Sequence, residues 1–167
     1  MLCTHQQDRS GYNQAMQRNA VLVIMIASVL VGTFLFYRTS SLLPATAEFG
    51  GVSLNIEYAL TEVEREKGLG GRESIESNYG LLFVFPEDQQ YGFWMKGMLV
   101  PIDIFWLNDQ GQVVSSELSV SPASYPHVFY PPERVRYVLE AAAGFAVAHA
   151  VATGTPLLLK KFPIVSK

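Results

Sequence analysis

Apolar and polar positions change their period several times along this chain, and each change marks an element. From Ala20 to Tyr37 the run AVLVIMIASVLVGTFLFY carries no charge and is bounded by Arg18 and Arg38. As a helix rising about 1.5 Å per residue it covers roughly 27 Å, the thickness of bilayer hydrocarbon, which predicts a membrane-spanning helix over 20–37. Residues 1–19 precede it and 38–47 read as a linker. Beyond Glu48 the period falls to two: Val52, Leu54, Ile56 and Tyr58 alternate with Ser53, Asn55 and Glu57, a strand with one buried face. Thr61-Glu62-Val63-Glu64 has the form of a capping box and Gly68 supplies a stop, predicting a helix of under two turns.

The densest apolar stretch is GLLFVFPEDQQYGFWMKGMLVPIDIFWL, Gly80 to Leu107. Leu81 to Phe85 predicts a strand ended by Pro86. If Tyr91 to Lys96 is extended, Tyr91, Phe93 and Met95 share one face and Trp94 and Lys96 the other. Ile102 to Leu107 places Ile102, Ile104 and Trp106 on one side and Asp103, Phe105 and Leu107 on the other. Asp109-Gln110-Gly111 turns the chain into Val113–Val120, an antiparallel partner. Ser121 to Pro132, with four prolines and three aromatic residues, reads as an ordered rim loop. Val135, Tyr137 and Leu139 mark a further strand, Ala141 to Ala152 a short helix, and Pro156 to Phe162 a last strand. Short strands separated by turns predict a mainly β, jelly-roll-like sandwich or barrel with one or two short helices, preceded by a single transmembrane helix.

Composition and charge narrow the partners. The chain has 167 residues, 49% of them hydrophobic and 16% charged. Residues 48–167 form one domain with nine Lys and Arg (12 less Arg9, Arg18 and Arg38) against fourteen Asp and Glu (15 less Asp8), a net charge near −5. Phosphate binding needs clustered positive charge, so this balance argues against a nucleic-acid partner. Cys3, the single cysteine, precedes the apolar block and cannot staple the domain. Arg9 and Arg18 before the block, against Arg38 just after it, favour a cytoplasmic N-terminus in the inner (plasma) membrane and a periplasmic or extracellular domain. A cleaved signal peptide is the alternative, with Ala45-Thr46-Ala47 as its processing site, but that site lies well past the apolar block and beyond Arg38.

Lys96 and Asp103 stand where burial is expected. The plain reading is an ion-pair cluster with Arg72 and Glu73 that fixes strand register, since a buried charge left unpaired is costly. The functional reading is a pocket lined by Arg72, Glu73, Trp94, Lys96 and Asp103, with Trp94 as a stacking platform for a small polar or sugar-like ligand. A narrower alternative is an envelope hydrolase or lyase using Lys96 and Asp103, with Glu73 as a further acid or base. A third is protein interaction through Tyr125, His127, Phe129 and Tyr130 of the rim loop. His127 and His149 lack metal-ligand spacing, so neither a metal nor a cofactor is expected.

The runs GLGGRES, GLLFVFPEDQQYGFWMKGMLVPIDIFWLNDQGQVV and YPPERVRYVLEAAAG together resemble the bacterial and archaeal family called domain of unknown function (DUF) 192. The resemblance covers nearly all of Leu54 to Leu159 and implies a mostly β, jelly-roll-like domain, often exported or membrane-tethered, with no activity attached. Arg72, Glu73, Trp94, Lys96 and Asp103 match the family pattern. Two places depart from it: the family usually carries methionine where Gly70 stands, and a polar Asn-Thr pair where Gly97 and Met98 stand. The expectation is an uncharacterised membrane-anchored envelope domain, a ligand-binding or structural module rather than an enzyme.

Overall fold

A computed structural model of the protein describes residues 45–165. The N-terminal segment 1–19, the apolar stretch 20–37 and most of the linker lie outside those residues. Among the described residues no helix is long and apolar enough to cross a membrane.

Nine strands follow one another: β1 (Ala45–Phe49), β2 (Val52–Ala59), β3 (Tyr79–Gln89), β4 (Phe93–Trp94), β5 (Ile102–Leu107), β6 (Val113–Val120), β7 (Val128–Phe129), β8 (Val135–Ala142) and β9 (Leu158–Leu159). Two short helices, α1 (Glu62–Lys67) and α2 (Phe145–Ala148), and one 3-10 turn (Pro122–Ser124) complete the described residues. Seven strands form a curled sheet, half of a barrel, in the spatial order β6-β5-β8-β3-β2-β1-β9, while β4 and β7 pair as a separate ribbon. The mainly β architecture with two short helices is as expected. Of the expected sandwich or barrel, the arrangement is the half-barrel of one curled mixed sheet. It is mixed because β2 and β3 pair in parallel. A parallel pair needs a crossover, and residues 60–78, with α1 inside them, provide it.

The middle of the sheet is covered on both faces. All six residues of β5 are buried, as are most of β8 and the first part of β3, Gly80 to Val84. Leu82, Val84, Phe105, Leu107 and Leu139 pack on one face with Phe145 of α2 and Leu157. Leu81, Phe83, Ile104, Trp106 and Val138 pack on the other with Leu69, Phe93, Met95 and Met98. A strand between two cores reads as an apolar run in both phases, which is why IDIFWL is apolar everywhere but at Asp103.

Local signals decide several elements. The Thr61 hydroxyl accepts from the Glu64 N–H and the Glu64 carboxylate from the Thr61 N–H, the expected capping box, and Gly68 ends α1 at φ +50°. Gly50 and Gly51, at φ +60° and +77°, make the two-residue turn of the β1–β2 hairpin, a backbone shape that few other residues adopt.

Elsewhere the structure corrects the sequence reading. Ala45, Thr46 and Ala47, assigned to the linker, belong to β1 and pair with Ile56, Asn55 and Leu54. Pro86 does not end β3: the ladder to β8 breaks between Val84 and Gln89, so the missing N–H is not called on. The helix expected over Ala141–Ala152 shrinks to Phe145–Ala148. Ala141 and Ala142 remain in β8, with Ala141 opposite both Gly80 and Asp103. The last strand is only Leu158–Leu159, pairing with Glu48 and Ala47.

Asp103 is fully buried on the α2 side of the sheet. Its Oδ1 accepts from the Ser119 N–H at 2.7 Å and the Gly144 N–H at 3.2 Å, and its Oδ2 from the Ala146 N–H at 2.9 Å. Ser119 has φ +50° where the β5–β6 register shifts, between Ile102↔Val120 and Ile104↔Glu117. One carboxylate therefore holds a bulge in β6 and caps α2, whose own N-cap, Gly144, has no side chain to do so. Asp103→Ala leaves these donors unmatched and is expected to cost about 3 kcal/mol or more in urea denaturation. Lys96→Met, at a half-exposed side chain, is expected to cost under about 1 kcal/mol. A loss below about 1 kcal/mol for Asp103→Ala would refute the capping role.

Candidate functional site

A concavity with a volume of about 430 Å³ opens on the α1 side of the sheet. Its walls come from four places in the chain. The crossover supplies Glu62, Arg65, Glu66 and Lys67 from α1, then Gly68 and Leu69; β3 supplies Phe83 and Phe85. The segment around β4 supplies Tyr91, Gly92, Phe93, Trp94, Lys96 and Met98, and β8 supplies Glu140.

Aromatic contacts fix the apolar walls. Phe85 stacks on Tyr91 with ring centroids 3.5 Å apart, and Phe83 meets Phe93 edge-on at 4.8 Å. The Trp106 indole N–H donates to the Tyr91 carbonyl at 3.0 Å, and the Tyr91 hydroxyl donates to the Glu87 carbonyl at 2.7 Å. Arg65 is fully engaged: Nη1 donates to the carbonyls of Leu60 and Val84 at 2.6 and 3.1 Å, and the guanidinium lies 5.3 Å from the centre of the Phe85 ring.

Glu140 is the residue of this cleft that stands out chemically. It is only 4% exposed, and its Oε2 has no hydrogen-bond partner. Burial pushes its carboxyl up to about 8, against the lowering effects of a hydrogen bond from the Leu69 backbone and the positive charge of Arg72. Gly68 stands beside it: a Cβ built there would lie 3.4 Å from Oε2 and 3.4 Å from the Phe83 ring. A protonated carboxyl both donates and accepts, and this one sits at an aromatic cleft with one oxygen unused.

The five residues read as one pocket are not gathered. Trp94 and Lys96 line the cleft together, with Lys96 Nζ 5.7 Å from the centre of the indole ring and 3.7 Å from Glu66 Oε1. Trp94, 45% exposed, and Lys96 share one face and the buried Phe93 and Met95 the other, as the alternation predicts, but the face of Lys96 is the solvent side and its expected burial is not found. Asp103 lies on the far side of the sheet, so it forms no acid-base pair with Lys96. Arg72 belongs to a separate surface cluster. Its Nη2 donates to Glu57 Oε2 at 2.9 Å, its guanidinium lies 4.9 Å from the centre of the Tyr79 ring, and the Tyr79 hydroxyl donates to the same carboxylate. Although burial opposes it, hydrogen bonds from Tyr79 and Arg72 hold the Glu57 carboxyl below its ordinary range. Glu73 is exposed and outside the cleft. On the rim loop, Tyr125, His127 and Tyr130 are exposed and Phe129 is half-buried, with the His127 ring edge-on to Phe129 at 4.5 Å. Among the described residues no three His, Cys, Asp or Glu side chains cluster to hold a metal.

Sequence reasoning missed Glu140. The alternation of Val135, Tyr137 and Leu139 points it outward, and outward is read as solvent. The usable signal was Val138 in the same phase, since apolar residues in both phases mark a strand covered on both faces.

The chain belongs to the DUF192 family, described as an uncharacterized ACR, whose model matches residues 45–159. None of the curated proteins compared with it matches. Among solved structures it is similar to a proposed transcription regulator from Sinorhizobium meliloti 1021, at 28% identity and a TM-score of 0.63, covering 68% of this chain and 89% of that one. It is also similar to a protein of unknown function from Novosphingobium aromaticivorans DSM 12444, at 23% identity and a TM-score of 0.63, covering 69% and 83%. The family departures fall beside the cleft. Met98 lines it, and Gly97 has φ +72°, a shape that asparagine also tolerates, so the exchange there keeps the backbone.

The Glu140 carboxyl ties stability to pH. Below the ordinary carboxyl value of 4.5, folded and unfolded chains both hold the proton. Between 4.5 and about 8 only the folded chain does, so stability falls as pH rises, and above 8 the loss is complete. It amounts to at most about 4–5 kcal/mol. Glu140→Gln lacks this decline: in urea denaturation the wild type is expected to lose several kcal/mol relative to the variant between pH 4.5 and 9. A constant difference between the two proteins would refute the assignment.

Proposed function

We propose that this chain is a membrane-anchored cell-envelope domain whose cleft beside α1 binds a small polar ligand. The observation that carries the binding part is the unpartnered, buried Oε2 of Glu140 at an aromatic-walled cleft of about 430 Å³. Ligand sites are typically about 300–1,000 Å³, mostly apolar, with a few placed polar groups. A polar atom left without a partner in such a place is a cost to folding that a ligand's hydrogen bond offsets. The anchor rests on the uncharged stretch 20–37, and the export of the domain on Arg9 and Arg18.

Catalysis through Lys96 and Asp103 has no support from this geometry. The regulator description of the Sinorhizobium protein is not carried over, because residues 48–167 are acidic and DNA binding needs clustered cations. A protein-docking role for the rim loop is the second reading, favoured by Tyr125 and Tyr130 at 48% and 63% exposure.

The test of ligand binding is a thermal-shift screen of small polar metabolites on the full-length chain in a zwitterionic detergent. A ligand at 100 times its Kd adds about 2.7 kcal/mol and raises the melting point by a few degrees. Trp94→Ala is expected to abolish the shift; an empty screen, or hits that survive the substitution, would count against the cleft. Alkaline phosphatase fused after Lys167 is expected to be active, as it is only outside the cytoplasm, and an inactive fusion would overturn the proposed topology.

A further inference from the structure

We propose that the ligand is an uncharged ring bearing hydroxyl or amide groups, a sugar or a similarly polyhydroxylated molecule, and that Oε2 of Glu140 makes a hydrogen bond to one of its oxygens. This rests on the cleft being a binding site and goes further by naming the chemistry it selects.

The selection follows from where charge is available. α1 presents Glu62, Arg65, Glu66 and Lys67, and the β4 segment presents Lys96. Lys96 is within 4 Å of Glu66 and stands over Trp94, while Arg65 is committed to two carbonyls and the Phe85 ring. Arg72 acts on Glu140 from outside the cleft, and the face of β5 beside it contributes Ile104, which carries no charge. Lys96 and Arg65 are thus engaged locally, and the one buried side-chain atom of the cleft without a partner is Oε2 of Glu140.

That atom holds its proton at neutral pH, because burial raises the carboxyl to about 8. Leu69 supplies a backbone hydrogen bond to the carboxyl, and Oε2 remains free to donate. A cationic ligand must first displace this proton and then lose its own hydration. An anionic ligand meets a neutral acid and no buried cation. A hydroxyl or amide oxygen needs neither adjustment. The ring itself fits the walls, since Trp94 presents a half-exposed indole beside the cleft and Phe93 and Tyr91 extend the apolar surface. Gly68 carries no Cβ beside Oε2; one built there would lie 3.4 Å from it, in van der Waals contact.

Three probes of like shape and different charge test this: N-acetylglucosamine, glucosamine and glucuronate, titrated calorimetrically against the full-length chain in zwitterionic detergent at pH 6.5. The uncharged sugar is expected to bind at least tenfold more tightly than either charged one. Glu140→Gln, which keeps a donor and an acceptor, is expected to retain that affinity within about threefold. Glu140→Leu is expected to lose it tenfold or more, with circular dichroism confirming its fold. Between pH 7 and 9.5 wild-type affinity falls about tenfold while the Gln variant stays flat. Tighter binding of a charged probe, no binding of any sugar, or the same pH profile in the Gln variant would each overturn the proposal. If the metabolite screen meanwhile yields a Trp94-dependent ligand of another class, the cleft stands and only this inference falls. If it yields none, both fall.

Discussion

Everything in this domain depends on a sheet whose central strands have no solvent side. With β3, β5 and β8 covered above and below, a carboxyl on one of them must find partners in the protein, give up its charge, or wait for a partner from outside. Two carboxyls are placed there, one residue apart in the β5–β8 register: Asp103 opposite Ala141, and Glu140 opposite Ile104. They face opposite ways and meet the constraint differently. Asp103 is surrounded by backbone N–H groups and holds the fold together. Glu140 has a single backbone donor and one oxygen with none.

The cleft around Glu140 is a product of topology. Because β2 and β3 run parallel, the chain must cross one face of the sheet between them, and α1 is laid down there as part of that crossing. Its C-terminal glycine meets the sheet where Glu140 emerges. The aromatic residues of β3 and the β4 segment fill the opposite side. No one stretch of chain builds the site, and each contributes what its own local structure already requires.

This explains what could be read in advance. The capping box at Thr61, the alternation that puts Phe93 and Met95 on one face and Trp94 and Lys96 on the other, and the β5–β6 hairpin are local patterns, and the structure contains them. The company kept by Lys96 and Asp103 was not legible, because it depends on which face of the sheet each strand turns toward, and that is set by strand order. The alanine run after Glu140 misled for a related reason. Alanine favours helix in isolation, yet β8 needs small residues where Ala141 faces both neighbours.

The pairing of β5 with β8 also polices its own alignment. If β8 slid by one residue, Glu140 would come to lie opposite Asp103 and turn onto the same side of the sheet. Two acids would then stand shoulder to shoulder in a dry interior, competing for amide hydrogens sufficient for one. Such a misthreaded form carries the cost of repulsion or of a forced protonation, so the acidic side chains help to exclude wrong assemblies while the surrounding hydrocarbon favours the right one.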